Sequence, residues 1–168
     1  MTVSRWLARK RVPLGFLFGG LALWLATPTR PSLAAGATVA IAGELIRMWA
    51  AGHLDKGREV TVSGPYRLTR HPLYLGSSVI GAGLAIAAAS PAVATLIVVY
   101  LAVTLTAAIR TEEAHLTDKF GAAYPQYRDG RAPDVGRRFS LVRAWRNREY
   151  RAVIGLALAL ALLLAKTL

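Results

Sequence analysis

The chain has 168 residues, of which 54% are hydrophobic, and a formal net charge of +12. This length suits one domain, and the lack of cysteine excludes disulfides, thiolate nucleophiles and cysteine-ligated metals. High hydrophobicity and high positive charge are compatible when apolar residues form membrane spans and basic residues lie in the loops between them. The basic loops then indicate orientation and contact with anionic lipid, which argues against a nucleic-acid partner.

The first apolar run extends from Pro13 to Ala26 and follows a cluster of basic residues. This pattern is typical of a cleaved signal peptide, with SLAAGA as the cleavage region, or of a first transmembrane helix. The transmembrane helix is favoured because a second apolar run, Ser32 to Ala51, follows at once.

The third apolar run, 74–109, is too long for one span of about 20 residues. We therefore predict two helices that turn at Ser90-Pro91. The last run, Ala152 to Ala165, is short, and either crosses the membrane with help from snorkelling basic residues or lies shallow in it. The chain is thus predicted to be an all-α polytopic integral membrane bundle of about five transmembrane helices, or of four and a re-entrant segment.

The loops predict the orientation of this bundle. The N-terminal basic cluster, the loop Gly52 to Arg70 and the segment Arg110 to Arg151 fall on one side and carry most of the lysines and arginines. By the positive-inside rule that side is cytoplasmic. We therefore expect a multi-pass protein of the inner (plasma) membrane, with its site facing the cytoplasm.

Two charged residues lie inside the second predicted span. Glu44 and Arg47 are three positions apart and share one helical face, so they are expected to pair. Ionisable residues at membrane depth either form structural ion pairs or line a functional pocket.

The stretch GPYRLTRHPLYLG concentrates polar chemistry at the mouth of the third span. Pro72 suits the first turn of a helix, which places His71 near its N-cap. Arg67 and Arg70 suit a carboxylate or phosphate ligand, although an interfacial loop is the alternative. A metal or haem role for His71 is disfavoured because the other two histidines lie in predicted loops.

A second polar cluster follows the fourth predicted span, where Glu112 and Glu113 precede Tyr124 and Tyr127. A solvated juxtamembrane helix is one interpretation. Adjacent carboxylates on a helix have poor geometry for a hard-cation site or for paired acid/base catalysis. Carboxylates and aromatic rings suit an organic cation, and the nearby arginines suit a carboxylate, a combination that S-adenosylmethionine carries.

Four stretches, GELIRMWA, GPYRLTRHPLYLG, GLAIAAASP and EEAHLTDKFGAAYPQY, occur in the order and spacing of one family. Together they resemble the isoprenylcysteine carboxyl methyltransferases, integral-membrane enzymes that use S-adenosylmethionine and are related to the phospholipid N-methyltransferases. The resemblance implies a cytoplasm-facing cofactor pocket. The cofactor-binding residues that it implies are Arg70, His71, Pro72, Tyr74, Gly76, Glu112, Glu113, Tyr124 and Tyr127.

We predict a single membrane methyltransferase domain, 1–168, with a cofactor-binding and catalytic core over 43–127. The arginine-rich stretch RRFSLVRAWRNREYR departs from the family pattern. Because Phe139, Val142 and Trp145 share one helical face, 133–151 is predicted to be an interfacial basic segment in contact with anionic lipid.

The resemblance implies methyl transfer to a lipophilic, membrane-borne or lipid-anchored acceptor. A carboxylate, the favoured acceptor, is ionised at neutral pH and needs no base, and Arg47, Arg67 or Arg110 is expected to hold it. An amine of a phospholipid or other lipid is the alternative, and Glu44 or one of the paired glutamates would then take its proton. Two other hypotheses stay open. The protein could be a non-catalytic membrane protein, or an NADPH-dependent enzyme resembling sterol reductases. Alanine- and arginine-rich composition indicates a high-GC bacterium, which leaves the acceptor's identity open.

Overall fold

The computed structural model of the chain describes residue 15 and residues 17–133 and 136–168. Every regular element in these ranges is helical. The elements are α1 (described over 17–25), α2 (Arg30–His53), a 3₁₀ turn (Gly64–Arg67), α3 (Pro72–Ala88), α4 (Pro91–Phe120), α5 (Ala123–Arg128), α6 (Leu141–Arg146) and α7 (Tyr150–Ala165). The N-terminal basic cluster and the start of the first apolar run lie outside the described residues.

Local chemistry accounts for the predicted hairpin between α3 and α4. Ala89 ends α3 in the left-handed conformation at φ 48°, and the Ser90 hydroxyl accepts a hydrogen bond from the backbone N–H of Val93. Pro91 then occupies the first turn of α4, where its missing N–H leaves no intrahelical bond unmade. The turn at Ser90-Pro91 is confirmed.

Helices α2 and α3 run antiparallel and pack through glycines. Gly36 and Gly43 on α2 are seven residues apart, as are Gly76 and Gly83 on α3. A Cβ atom added at Gly83 would lie 2.4 Å from the backbone nitrogen of Ala40, so the two backbones approach as closely as glycine allows. This spacing places one glycine of each helix opposite the other helix every second turn.

The end of the bundle that holds the α3–α4 turn is compact. The backbone N–H of Thr27 donates to the Ala88 carbonyl at 2.9 Å, which joins the α1–α2 turn to the end of α3. Lys166, just after α7, donates from Nζ to the carbonyls of Leu23 and Ala26 at 2.8 and 2.6 Å. The last helix is therefore fastened to the end of the first.

The opposite end holds the charged segments. The C-terminal end of α2 has free carbonyls, which the segment around α6 satisfies. Asn147 Nδ2 donates to the carbonyls of Ala51 and Leu54 at 2.9 and 2.8 Å, and Arg143 donates to that of Gly52 at 2.6 Å. This contact brings the start of α7 beside α2.

Helices α2 and α4 are long and apolar enough to cross a membrane, and most of their apolar surface is exposed. Core helices of soluble proteins would bury that surface. Helices α3 and α7 are apolar but shorter, at 17 and 16 residues. The described structure therefore shows an all-helical fold with two candidate spans, while the full count of five and the cytoplasmic orientation stay predictions.

Candidate functional site

The loop before α3 meets the end of α4 through Glu113. Its Oε1 lies 3.0 Å from Nε2 of His71 and 3.3 Å from Nη1 of Arg70. His71 is the N-cap of α3, as predicted, and the proline after it fixes the start of that helix. Residues some 40 positions apart in sequence thus form one charged group at the polar end of the bundle.

The second carboxylate of the pair has a different partner. The Tyr74 hydroxyl donates to Oε2 of Glu112 at 2.6 Å, and the Tyr74 ring stacks on His71 with centroids 5.6 Å apart. Adjacent carboxylates on α4 therefore reach the loop and the first turn of α3 separately. The two halves of the predicted cofactor site are in direct contact.

Two tyrosines of α5 complete this side. Tyr124 is 2% exposed, and its hydroxyl lies beside the Glu113 carboxylate. The Tyr127 hydroxyl donates to the backbone carbonyl of Tyr66 at 2.6 Å. Burial raises the pKa of Tyr124 and of Tyr127 to about 12, so both hydroxyls stay protonated at neutral pH.

Two of the residues predicted to bind the cofactor, Pro72 and Gly76, lie where helices pack against each other. Pro72 is buried, and Gly76 faces α2, where an added Cβ would lie 2.8 Å from the Gly43 carbonyl oxygen and collide with Arg47. Gly76 thereby lets α2 approach the first turns of α3, which carry His71.

Arg47 joins three helices. Its Nε lies 2.7 Å from Oε1 of Glu149, at the start of α7, and 3.7 Å from Oε2 of Glu44, one turn earlier on α2. Its Nη1 contacts the Leu73 carbonyl at 3.4 Å and donates to Oγ of Ser77, both on α3. The predicted pairing of Glu44 with Arg47 exists, but Glu149 is the closer partner.

Glu149 was not among the predicted site residues. It is 5% exposed, although its neighbours Arg148 and Arg151 are exposed. The available signal was an isolated carboxylate in an arginine-rich stretch directly before an apolar helix. Two glutamates thus lie near one arginine here. Both carboxylate oxygens of Glu44 are buried without a hydrogen-bond partner in the described structure.

The other two arginines predicted to hold an acceptor have different surroundings. Arg67, at the end of the 3₁₀ turn, and Arg110, on α4, are exposed at the polar end of the bundle. Of the three predicted alternatives, Arg47 is the one that lies among packed helices.

An apolar cavity of about 640 Å³ lies between α1, α3, α4 and α7. Side chains such as Leu84, Ile97 and Leu158 form its walls. Ser77 also lines it and accepts the hydrogen bond from Arg47. Ser77 therefore connects the lining of the cavity to Arg47.

Within the described ranges, no three histidine, aspartate or glutamate side chains are grouped closely enough to hold a metal ion. The polar end of the bundle instead offers carboxylates, arginines and aromatic rings, which suit an organic ligand that carries both charges.

Residues 45–123 match the family model described as phospholipid methyltransferase. The match covers 79 of the 168 residues (45 to 123) and supports a relationship between this chain and that methyltransferase family. The segment contains both halves of the Arg70–Glu113 contact, while Tyr124 and Glu149 lie beyond it. The methyltransferase relationship predicted from the motifs is confirmed, and the narrower likeness to isoprenylcysteine carboxyl methyltransferases stays a prediction.

Two proteins to which the chain is similar have names that refer to metal resistance. The chain is 32% identical over 138 residues to the cobalt-zinc-cadmium resistance protein CzcN of Cupriavidus metallidurans, which covers 77% of this chain and 61% of that protein. It is 33% identical over 113 residues to the nickel-cobalt-cadmium resistance protein NccN of Alcaligenes xylosoxydans xylosoxydans, covering 65% and 50%. The chain spans less than two thirds of either relative, and no solved structure matches it significantly.

Proposed function

We propose that the protein is an S-adenosylmethionine-dependent membrane methyltransferase that methylates a lipophilic amine. The family match supports methyl transfer, and the contact of Arg70 and His71 with Glu113 supports a cofactor site at the polar end. The observation that carries the choice of acceptor is the buried group of two glutamates around Arg47, beside the apolar cavity.

The residues at the polar end fit the proposed cofactor. The Arg70 side chain is 44% exposed and that of Glu113 is 31% exposed, so a soluble molecule reaches both. Arginine suits the carboxylate of the cofactor, and glutamates and aromatic faces suit its ribose hydroxyls and sulfonium. The buried Tyr124 hydroxyl lies beside the Glu113 carboxylate, at the edge of this polar group. S-adenosylmethionine, when bound, supplies an electrophilic methyl group.

The cavity fits the apolar part of a lipid acceptor. Its walls are almost entirely aliphatic and aromatic, and Ser77 and Tyr100 are the lining residues with side-chain hydroxyls. A lipid tail in this cavity would place its headgroup toward the Arg47 group and the first turns of α3. Holding two reactants in this way is worth up to about 7–11 kcal/mol of the barrier.

The charges favour an amine over a carboxylate. A carboxylate acceptor needs a cation to hold it, but Arg47 already has two carboxylates nearby. An amine must be neutral to attack, so a proton must leave it. The buried Glu44 carboxylate, whose oxygens have no hydrogen-bond partner among the described residues, is suited to accept that proton.

Calorimetric titration with S-adenosylhomocysteine, with NADPH as a parallel ligand, tests the cofactor assignment. We expect S-adenosylhomocysteine to bind and Glu113→Gln to weaken it about tenfold or more, through loss of a charge-assisted hydrogen bond. Asp118→Asn, an exposed change on the same helix, is the matched control. Binding of NADPH alone would indicate a reductase, and binding of neither ligand by folded protein would support a non-catalytic role.

A labelled methyl donor then tests the acceptor. We expect base-stable label in vesicles containing phosphatidylethanolamine and none in vesicles containing oleic acid. Base-labile label in the fatty-acid vesicles would indicate a methyl ester and return the assignment to a carboxylate acceptor.

A further inference from the structure

The segment around α6 directs the side chains of Arg143 and Asn147 toward the end of α2. Arg143 and Asn147 donate to the carbonyls at the end of α2, and the backbone N–H of Ser140 donates to the Gly52 carbonyl at 3.1 Å. Because these bonds fasten the segment at several points, the direction of its outer face is fixed as well.

The outer face of α6 is apolar. Leu141 is 67% exposed, and Val142 and Trp145 are each 68% exposed. In a helix, residues at these spacings lie on neighbouring positions of one side. A segment of this length that folded for solvent would place these side chains inward and its arginines outward.

Arginines surround this apolar face. Arg138 and Arg146 flank it and are exposed, as are Arg148 and Arg151 further along. The single carboxylate of 136–151 is Glu149, which is buried against Arg47. The outer face is therefore apolar at its centre and positively charged around it.

We propose that α6 and its flanking arginines form a binding surface for an anionic phospholipid bilayer. The apolar helix α7 begins at Tyr150, four residues after α6 ends, so this surface lies at the level where an apolar helix starts. Tryptophan and arginine are the residues that settle among lipid headgroups, and the arginines select negatively charged ones. The surface should therefore bind anionic headgroups in preference to zwitterionic ones.

Tryptophan quenching by brominated lipids tests this surface. A full-length variant that keeps Trp145 and replaces the other three tryptophans with phenylalanine is placed in mixed bilayers. These contain phosphatidylcholine and a minority of phosphatidylglycerol, with bromine on one lipid or the other. We expect phosphatidylglycerol to quench Trp145 roughly twofold more than its mole fraction predicts, and high salt to remove the excess.

Paired arginine changes identify the residues responsible. Arg138→Gln with Arg146→Gln should abolish the excess quenching and leave quenching by phosphatidylcholine intact. Arg128→Gln with Arg131→Gln removes the same charge from exposed positions outside the surface and should leave the excess unchanged. Quenching in proportion to mole fraction in the parent protein, or no quenching by either lipid, would overturn the proposal. An equal loss of the preference for phosphatidylglycerol in the two double variants would also overturn the proposal.

Discussion

Arg47 draws its partners from three helices: carboxylates from α2 and α7, and a carbonyl and a hydroxyl from α3. A guanidinium that is largely removed from water needs partners for its charge, and the side chains of Arg47 and Glu149 are 19% and 6% exposed. Loss of Glu149 would leave Arg47 with Glu44, 3.7 Å away, as its remaining carboxylate.

Glu149→Ala should lower the free energy of unfolding by about 1–3 kcal/mol, because it removes the carboxylate closest to Arg47. Thermal unfolding in detergent measures this loss, and Glu149→Gln, which keeps the side-chain volume without the charge, should recover only the part that comes from packing. Asp129→Asn removes a carboxylate that forms exposed contacts with Arg128 and Arg131, so its midpoint should match that of the parent. Equal midpoints for the alanine variant and the parent would mean that the pair contributes nothing to stability.

The raised pKa values of Tyr124 and Tyr127 predict a loss of stability in alkali. Folding favours their protonated form, so their contribution is complete below about pH 10 and is lost as the pH rises toward about 12. Tyrosinate absorbance should show these two groups titrating late, and Tyr127→Phe should remove one late group. Titration of every tyrosine near pH 10 in folded protein would contradict this.

Short-range patterns predicted much of this chemistry. The two halves of the Arg70–Glu113 contact were predicted to share a site because the resemblance to the isoprenylcysteine carboxyl methyltransferases implies one pocket, and the basic loops place both halves on one side. Glu149 was missed because its partner is 102 positions earlier (149 minus 47), and no spacing rule connects residues that only tertiary packing brings together.

At the scale of elements, α3 uses its glycines on two sides. Gly76 and Gly83 face α2, whereas an added Cβ at Gly81 would lie 2.5 Å from a methyl group of Leu101 on α4. The sequence does not show which helix packs against each glycine, because a helical pattern shows a face without showing what covers it.

Gly83→Ala should destabilise the protein by about 1–3 kcal/mol, because the new methyl group meets the backbone of α2 and forces the helices apart. Gly155→Ala on α7 is the matched control, since nothing lies within 4 Å of its Cβ position. That change should be neutral or stabilising by up to about 1 kcal/mol, through reduced freedom of the unfolded chain. Thermal midpoints distinguish the two, and equal effects would mean that the glycine contact is not tight.

At the scale of the whole molecule, the bundle has two unlike ends. One holds tight turns and Lys166, and the other holds the predicted site, α5 and α6. The all-helical fold and the α3–α4 hairpin followed from run lengths and turn residues. Run lengths did not predict whether α3 and α7 cross the membrane fully. Their 17 and 16 residues are marginal for a bilayer, and packing decides their tilt.

The chain's lack of cysteine allows a direct test of sidedness. If α7 crosses the membrane, Arg131→Cys and Leu168→Cys should react with a membrane-impermeant maleimide from opposite sides. Intact cells should label the second variant and inside-out vesicles the first. Both residues are exposed, so a difference in labelling reports the side rather than burial. Labelling of both variants from one side would place α7 in the interface instead.

The arrangement around Arg47 also has a consequence for biosynthesis. Translation at roughly 5–20 residues per second takes about 5–20 s to add the 102 residues between Arg47 and Glu149. During that time Glu44, one turn away on the same helix, is the acidic partner that is synthesised together with the arginine. A neighbouring carboxylate lowers the free energy needed to place a guanidinium among lipids. Helix α2 can therefore enter the bilayer before α7 has been made.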